Sequence, residues 1–249
     1  MSPKEGKKTA VVTASSAAIG QAISLMLSRR GYDLALQYFN SESVAQTLKQ
    51  RVENNGVRVK LLRGDLCKEG TAQRMIEETI DTFGRIDLQI NTLGPFAHGG
   101  ILETTPRAWR NDIDLNLNAA FDMIHYAKDH LIQSQGHIIN FAYAGVEHLR
   151  SREDSGGFCA AKVGLVVLTK SLATSLARFG VRVNMVCPGF IDDGEASYPE
   201  ERRQALMATI PFARMGHIDE IVDVVRWLAD ESPPYVTSAL IPVSGAWEY

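Results

Sequence analysis

Short apolar runs alternate with longer amphipathic ones along nearly the whole chain, and this alternation restricts the fold more than any other feature. "KTAVVT" (Lys8–Thr13) predicts a buried strand, and Ile19–Gly31 predicts a helix closed by glycine. "DLALQY", "VRVKLLRGD", "RIDLQIN", "GHIINFA", "VRVNMVC" and "SALIPV" read as further strands. Between them lie the polar helix "SESVAQTLKQRVENNG", the helix "AQRMIEETIDTFG" and a long helical region from Pro106 to Ser134. A last long helix runs from Phe158 to Gly180, with Phe158, Ala161, Leu165, Leu168, Leu172 and Leu176 on one stripe. A loop and small helices fill the stretch before the last strand. Strands that alternate with helices at this spacing build parallel βαβ units with right-handed crossovers and helices on both faces.

The fold class expected is therefore α/β, a doubly wound, Rossmann-like three-layer sandwich with a parallel sheet of about seven strands. No internal linker, low-complexity tract or repeat interrupts it, so residues 1–249 are read as one domain. The composition, 45% hydrophobic and 22% charged, is enough for a sizeable core. With 26 basic and 29 acidic residues, the balance gives no reason to expect a nucleic acid or an acidic membrane as partner. No run reaches the ~18 apolar residues that span a bilayer. The start, "MSPKEGKKTAVVT", lacks the order of a signal peptide. The cysteines Cys67, Cys159 and Cys187 are odd in number and unclustered, which argues against disulfides or a zinc site and for a cytoplasmic location.

Ligands of such sheets bind beyond the carboxyl ends of the strands. After the first strand comes "TASSAAIGQ", a small-residue turn that opens a helix. It reads as a pyrophosphate cradle or simply as a tight turn. In order along the chain follow "GDL" (Gly64–Leu66), "NTLG" (Asn91–Gly94), Asn116, Phe158-x-x-x-Lys162 and Pro188–Gly189. This ordered set resembles the short-chain dehydrogenase/reductase family over nearly the whole chain. The likeness includes pteridine reductases and 3-oxoacyl-carrier-protein reductases, and it does not separate the two.

The resemblance implies a nicotinamide cofactor. Thr13, Ser15, Ile19 and Gly20 would line its pyrophosphate, and Asp65 and Leu66 would meet the adenine. Asn91 and Gly94 would stand behind the adenosine ribose. Lys162 would hold the nicotinamide ribose, and Pro188 and Gly189 would flank the nicotinamide. The plainer readings are a loop-capping carboxylate for Asp65 and an ordinary turn for Pro188–Gly189. The segment "LQYFNSES" holds no carboxylate before Glu42 and no cation. With Asn40 and Ser41 as hydrogen-bond donors, the reading favours NADP(H) over NAD(H).

The departures from the family fall on the working positions. Ala14 and Ala18 stand where the family has glycines. If position 14 is left-handed, alanine costs roughly 1–2 kcal/mol there. Asp192 and Asp193 stand near the nicotinamide end, where a carboxylate would repel a pyrophosphate. Phe158 replaces the family's tyrosine, and a benzene ring donates no proton. The family's serine aligns with Tyr143 by strand alignment or with Gly145 by spacing, and neither is serine.

Asn116 and Lys162 are retained, as a support for a relay water and as the lysine of the motif. Alternatively, they are a helix-kink tie and a surface lysine. Tyr143 is a candidate substitute acid or a packed rim aromatic. Glu147 and His148 are candidates as well, though His148 reads better as an exposed loop histidine. Three functions remain: an oxidoreductase with atypical or absent carbonyl reduction, a non-redox isomerase or cyclase, and a non-catalytic binding or regulatory protein. The loop Asp192–Pro199 and the helix that follows are expected to cover the pocket. The family pairs subunits through the Lys162 helix and the long helix before strand five. That implies a homodimer or, preferentially, a homotetramer, with the tail "PVSGAWEY" at a second interface.

Overall fold

In the computed structural model, residues 6–96, 99–192 and 200–247 are described. Seven parallel strands form one sheet in the order β3-β2-β1-β4-β5-β6-β9. These are β1 (Thr9–Val12), β2 (Asp33–Tyr38), β3 (Val59–Arg63), β4 (Leu88–Asn91), β5 (His137–Phe141), β6 (Arg182–Pro188) and β9 (Leu240–Val243). All four residues of β1 and all six of β2 are buried, as expected of central strands covered on both faces. The strand order reverses direction between β1 and β4, and that switch point opens a crevice at the carboxyl ends. The expected three-layer α/β fold is what the chain forms.

One face is covered by α1 (Ala18–Arg29), α2 (Glu42–Glu53) and α8 (Ile218–Arg226), through Ile23, Leu27, Leu48, Val52, Ile221 and Val225. The other is covered by α3 (Thr71–Phe83), α5 (Ala119–Ser134) and α6 (Gly156–Leu176), through Met75, Ile76, Met123, Ala127, Ala173 and Leu176. Among the described residues α6, continued to Phe179, is long and apolar enough to cross a membrane. Here it lies on the sheet, and its apolar stripe is used there: Phe158, Ala161, Leu165 and Leu176 are buried.

The sequence and the structure differ in two places. The region Pro106–Ser134 is not one regular helix. It breaks into α4 (Pro106–Ile113), a π-helical turn over Asp114–Asn118 and α5. Such turns insert an extra residue and re-aim a side chain, here Asn116. The stretch expected to hold a loop and small helices also carries a two-stranded parallel pair, β7 (Ile191–Asp192) with β8 (Gly216–His217), around α7 (Glu200–Thr209).

A buried polar chain fixes α6 against the sheet. Gln89 donates to Asn91 Oδ1 (3.1 Å), Asn91 to Asn140 Oδ1 (2.8 Å) and Asn140 to Thr169 Oγ1 (2.9 Å). The Thr169 hydroxyl donates onward to Leu165 O at 2.7 Å. Polar side chains this deep are tolerated because they are mutually bonded. The chain of bonds sets the register of the helix that carries Phe158 and Lys162.

Candidate active site

The turn after β1 is held by Gln37 of β2. Its Oε1 accepts the Ala14 N–H at 2.7 Å, its Nε2 donates to Gly64 O at 3.0 Å, and its backbone O accepts both the N–H and the hydroxyl of Ser15, each at 2.9 Å. Ala14 is left-handed, φ +46°. Gly20 has no room for a side chain: a Cβ there would sit 2.4 Å from Ala14 O. Ser15 and Thr13 are buried braces, the latter accepting the Leu93 N–H at 3.3 Å. Their side chains shape the turn rather than face out of it. No side chain caps α1, so the N–H groups of its first turn, from Ala18 through Ile19 to Gly20, lack intrahelical acceptors.

At the next strand ends Asp65 caps its own loop, accepting the Cys67 N–H at 3.0 Å. Leu66 packs into the core, so its side chain is not at the crevice. Asn40 is exposed at the end of β2, and Ser41 immediately precedes α2 without capping it. The segment Leu36–Ser43 itself carries no cation. The sheet supplies one: Arg63 of β3 is in register with Tyr38, and its guanidinium meets Glu42 at 3.0 Å. The signal lay in the pairing of β3 with β2, which sequence spacing alone does not reveal.

Beyond β4, Gly94 exists for space. A Cβ there would lie 2.5 Å from Lys162 Nζ and 2.6 Å from Asn116 Oδ1, so the two polar ends converge on one point. Asn116 is buried, its amide reaches only Pro95 O at 3.5 Å, and its Oδ1 has no hydrogen-bond partner. Lys162 is buried as well and donates to Leu93 O (3.1 Å) and Phe141 O (3.0 Å). Burial pushes its ammonium down to about 7. Lys162 is therefore no surface lysine. Its Nζ lies 5.8 Å from the centre of the Phe158 ring.

Phe158 and Tyr143 face one cavity of about 380 Å³ at the strand ends, next to Pro188 and Gly189. Their rings are 5.7 Å apart and tilted by 32°. The Arg152 guanidinium carbon lies 5.7 Å from the centre of the Tyr143 ring. Burial, then the Cys159 thiol, hold the Tyr143 phenol above the usual range, and the guanidinium opposes them, so the phenol is a neutral donor at ordinary pH. Cys159 in turn is 3.6 Å from Ser155 Oγ. Arg152, Ser155 and Cys159, together with Phe190 and Trp247, escaped the sequence reading. The first two sit in the polar connection before α6, which has no periodic pattern to betray them.

His148 and Glu147 are exposed on the loop after β5. Gly145, the other serine-position candidate, is a buried turn glycine with φ +78°. Asp192 does not present a bare carboxylate to the crevice, contrary to expectation, because it is ion-paired with Arg203 of α7. Asp193 and the rest of the expected cover up to Pro199 lie outside the described residues. The helix that follows, α7, does reach the cavity through Arg202 and Leu206.

Residues 13–247 match the family model described as enoyl-(acyl carrier protein) reductase. The chain belongs to the short-chain dehydrogenase/reductase family. It is 31% identical over 240 residues to the 3-oxoacyl-[acyl-carrier-protein] reductase FabG of Staphylococcus aureus, covering 96% of this chain and 97% of that protein. It is 32% identical over 241 residues to the putative oxidoreductase YtkK of Bacillus subtilis, covering 95% and 94%. Among solved structures it resembles the acetoin dehydrogenase YohF of Salmonella typhimurium (31% identity, TM-score 0.87, covering 97% and 96% of the chains). It also resembles a blue fluorescent protein from a metagenomic library, solved in complex with NADPH (29%, TM-score 0.89, covering 97% and 98%). The family assignment therefore rests on likeness over nearly the full length of the relatives.

Proposed function

We propose that the chain, as one domain, binds NADP(H) across its strand ends. In this reading it is an oxidoreductase whose carbonyl chemistry departs from the family pattern, with Tyr143 rather than position 158 as proton donor. The observation that carries the reading is the Phe158 ring at the inner wall of the cavity, 5.8 Å from Lys162 Nζ, with the Tyr143 phenol facing the same space. A family site with this lysine but no phenol at position 158 needs its proton from elsewhere. Tyr143 is the neutral hydroxyl donor with an adjacent cation.

The residues present fit a nicotinamide dinucleotide. The uncapped first turn of α1 suits a pyrophosphate. The orphaned Asn116 Oδ1 and the Lys162 ammonium, which converge beside Gly94, suit ribose hydroxyls or a bridging water. Pro188 and Gly189 border the cavity that a nicotinamide would share with a substrate. When bound, the nicotinamide supplies hydride chemistry. The chain's own part is to position the carbonyl oxygen against Tyr143 and to surround it with aromatic walls that exclude water. Arg63, Asn40 and Ser41 at the ends of β3 and β2 support NADP(H) over NAD(H), since a 2′-phosphate gains a guanidinium there. FabG and acetoin dehydrogenase, by their names, act on carbonyl or hydroxyl compounds, which agrees with a small-molecule substrate.

Exposed apolar side chains on α4, α5 and α6, namely Trp109, Phe121, Tyr126 and Val167, support a homodimer or homotetramer through those helices. Three free cysteines suit a reducing cytoplasm.

The test is calorimetric titration with NADPH and NADH, followed by assay of a carbonyl panel. We expect NADPH to bind more tightly than NADH, with slow reduction that falls further in Tyr143→Phe. Failure of both nucleotides to bind overturns the proposal in favour of a non-catalytic protein. Binding without any carbonyl turnover moves the chemistry to the isomerase or cyclase class.

A further inference from the structure

Two groups of rings face the cavity. Phe158 has Phe96 edge-on at 5.0 Å and Tyr143 tilted at 5.7 Å. Phe190 and Trp247 form a separate pair, with ring centres 4.4 Å apart and planes inclined by 53°. All of these line the same space of about 380 Å³. Trp247 is buried and packs with Ala144, Ile210 and Met215, and Phe190 and Met207 lie against that cluster. It thereby joins the end of the chain to α7, the helix that reaches the cavity through Leu206.

Trp247 reaches this place through a strained turn. After β9 the chain reverses over Ser244–Trp247, with the Trp247 N–H donating to Ser244 O at 3.1 Å. Both central residues are left-handed, Gly245 at φ +62° and Ala246 at φ +66°. Glycine adopts that conformation freely, whereas the Cβ of alanine is crowded in it. Such strain persists only where the surroundings hold it, and here they do. Gly245 O accepts the Phe212 N–H at 3.3 Å, and Val243 O accepts the Gly189 N–H at 3.0 Å. Gly189 lies so close to the turn that a Cβ on it would sit 2.9 Å from Ser244 Cα. The turn thus folds the Trp247 ring back over the strand end, against Phe190.

From this arrangement we infer that Trp247 is a specificity-determining residue. The turn holds its ring, with Phe190, as a fixed wall of the cavity, and that wall limits the substrate to a compact, single-ring or short-chain carbonyl compound. The inference rests on the carbonyl reading of the site, but its recognition part is testable without turnover. A space of about 380 Å³ is at the small end of small-molecule sites, which span roughly 300–1,000 Å³, and in that reading the nicotinamide takes part of it. A packed indole does not compress, so a larger body must push it out of a cluster that includes the end of α7. A group that an apolar wall has no room for is rejected by about ten- to two-hundredfold.

The experiment is calorimetry on the full chain with acetophenone and 2-acetylnaphthalene, which share an aryl methyl ketone and differ by one fused ring. Each is titrated without nucleotide and again with saturating NADP+, which cannot reduce them. Wild type is expected to bind acetophenone more tightly, by about tenfold or more. Trp247→Ala should invert the order. It tightens 2-acetylnaphthalene by about tenfold or more, since more apolar surface is then buried, while acetophenone weakens. Trp247→Phe should lie between. Phe190→Leu thins the same wall without altering the turn and should shift the order the same way, so the inference stays testable if Trp247→Ala does not fold. A purely structural role of Trp247 would weaken both ketones together, and that outcome overturns the inference. So does equal binding of the two by wild type, an order unchanged in the folded variants, or no binding of either ketone in either arm. Absence of heat with NADP+ itself counts instead against the nucleotide reading, and the order of the ketones in the nucleotide-free arm still decides the role of the wall.

Discussion

The Gln37 side chain holds Ala14 in a conformation that alanine disfavours: the Gln37 carboxamide oxygen accepts the Ala14 N–H at 2.7 Å, and Ala14 has φ +46°. Left-handed alanine costs roughly 1–2 kcal/mol, part of which glycine gives back as chain entropy. Ala14→Gly is therefore expected to stabilise the fold by at most about 1 kcal/mol in urea titration. Combined with Ala18→Gly, it should also tighten NADPH in calorimetry, because the turn relaxes and a methyl leaves the first residue of α1. Gln37→Ala should do the opposite on both readouts. If wild type already binds NADPH tightly and the glycine variants change nothing, these alanines are not losses of function.

Position 158 is the second test. Phe158 and Lys162 are one turn apart on α6, and the ring faces both the ammonium and the cavity. Phe158→Tyr puts a phenol where the lysine can favour its ionised form. A positioned acid is worth about 10²–10⁴ in rate, so carbonyl reduction with NADPH should rise by about 10² or more. Tyr143→Ser in the same chain should raise it further by placing a hydroxyl near the carbonyl oxygen. An unchanged rate in a variant that still binds NADPH would show that the cavity does not present a carbonyl to this ring.

The fold was legible because central strands and amphipathic helices write their burial directly into residue periodicity. β1 to β6 and the last strand fall where the apolar runs are. Lys162, Asn116 and Gly94 stood out through the order of their motifs, which resembles the family's, and the fold brings the Lys162 and Asn116 polar ends together at Gly94. What the sequence hid depends on tertiary neighbours. Arg63 comes beside Tyr38, at the end of β2, only because β3 pairs with β2. Asp192 reads as a repelling charge in the sequence, but Arg203 of α7 pairs with it. Arg152 sits in an aperiodic polar connection, and only the tertiary structure brings its guanidinium to the Tyr143 ring. The π-helical turn at Asp114–Asn118 was invisible as well, since an inserted residue leaves the surrounding pattern helical.

Arg63 gives a third prediction. Its side chain is exposed and its ion pair with Glu42 is therefore weak, so the guanidinium can exchange that partner for a phosphate at little cost. Arg63→Ala should weaken NADPH by about tenfold and leave NADH nearly unchanged. Glu42→Gln should tighten NADPH modestly. Equal effects of Arg63→Ala on both nucleotides would remove the argument for a 2′-phosphate contact.

The outer surface of α5 and α6 gives the fourth. Val167 is 62% exposed and Phe121 47%, although both lie on helices whose other sides cover the sheet. If these faces pair subunits, light scattering should report a dimer or tetramer. Val167→Arg together with Phe121→Arg should shift it toward monomer, since unpaired charges in an apolar interface are costly to bury. A monomer across a wide concentration range in wild type would refute the pairing.

Lys162 gives a test by pH. Its ammonium is buried, donates to Leu93 O and Phe141 O, and is pushed from an ordinary 10.5 down to about 7 by burial. In the unfolded chain it keeps its ordinary value. Between about pH 7 and about pH 10.5 the unfolded state therefore holds a proton that the folded state has released. Stability linked to this group rises with pH across that window, is highest above it, and is lowest and constant below about pH 7. Lys162→Met removes the linkage. The difference in melting temperature, variant minus wild type, should be largest near neutral pH and should shrink as pH rises towards 10 or so. Other groups titrate in the same range, but they are common to both proteins and cancel in the difference. A pH-independent difference would mean that Lys162 stays charged within the fold, and that Leu93 O and Phe141 O solvate a permanent cation at the heart of the site.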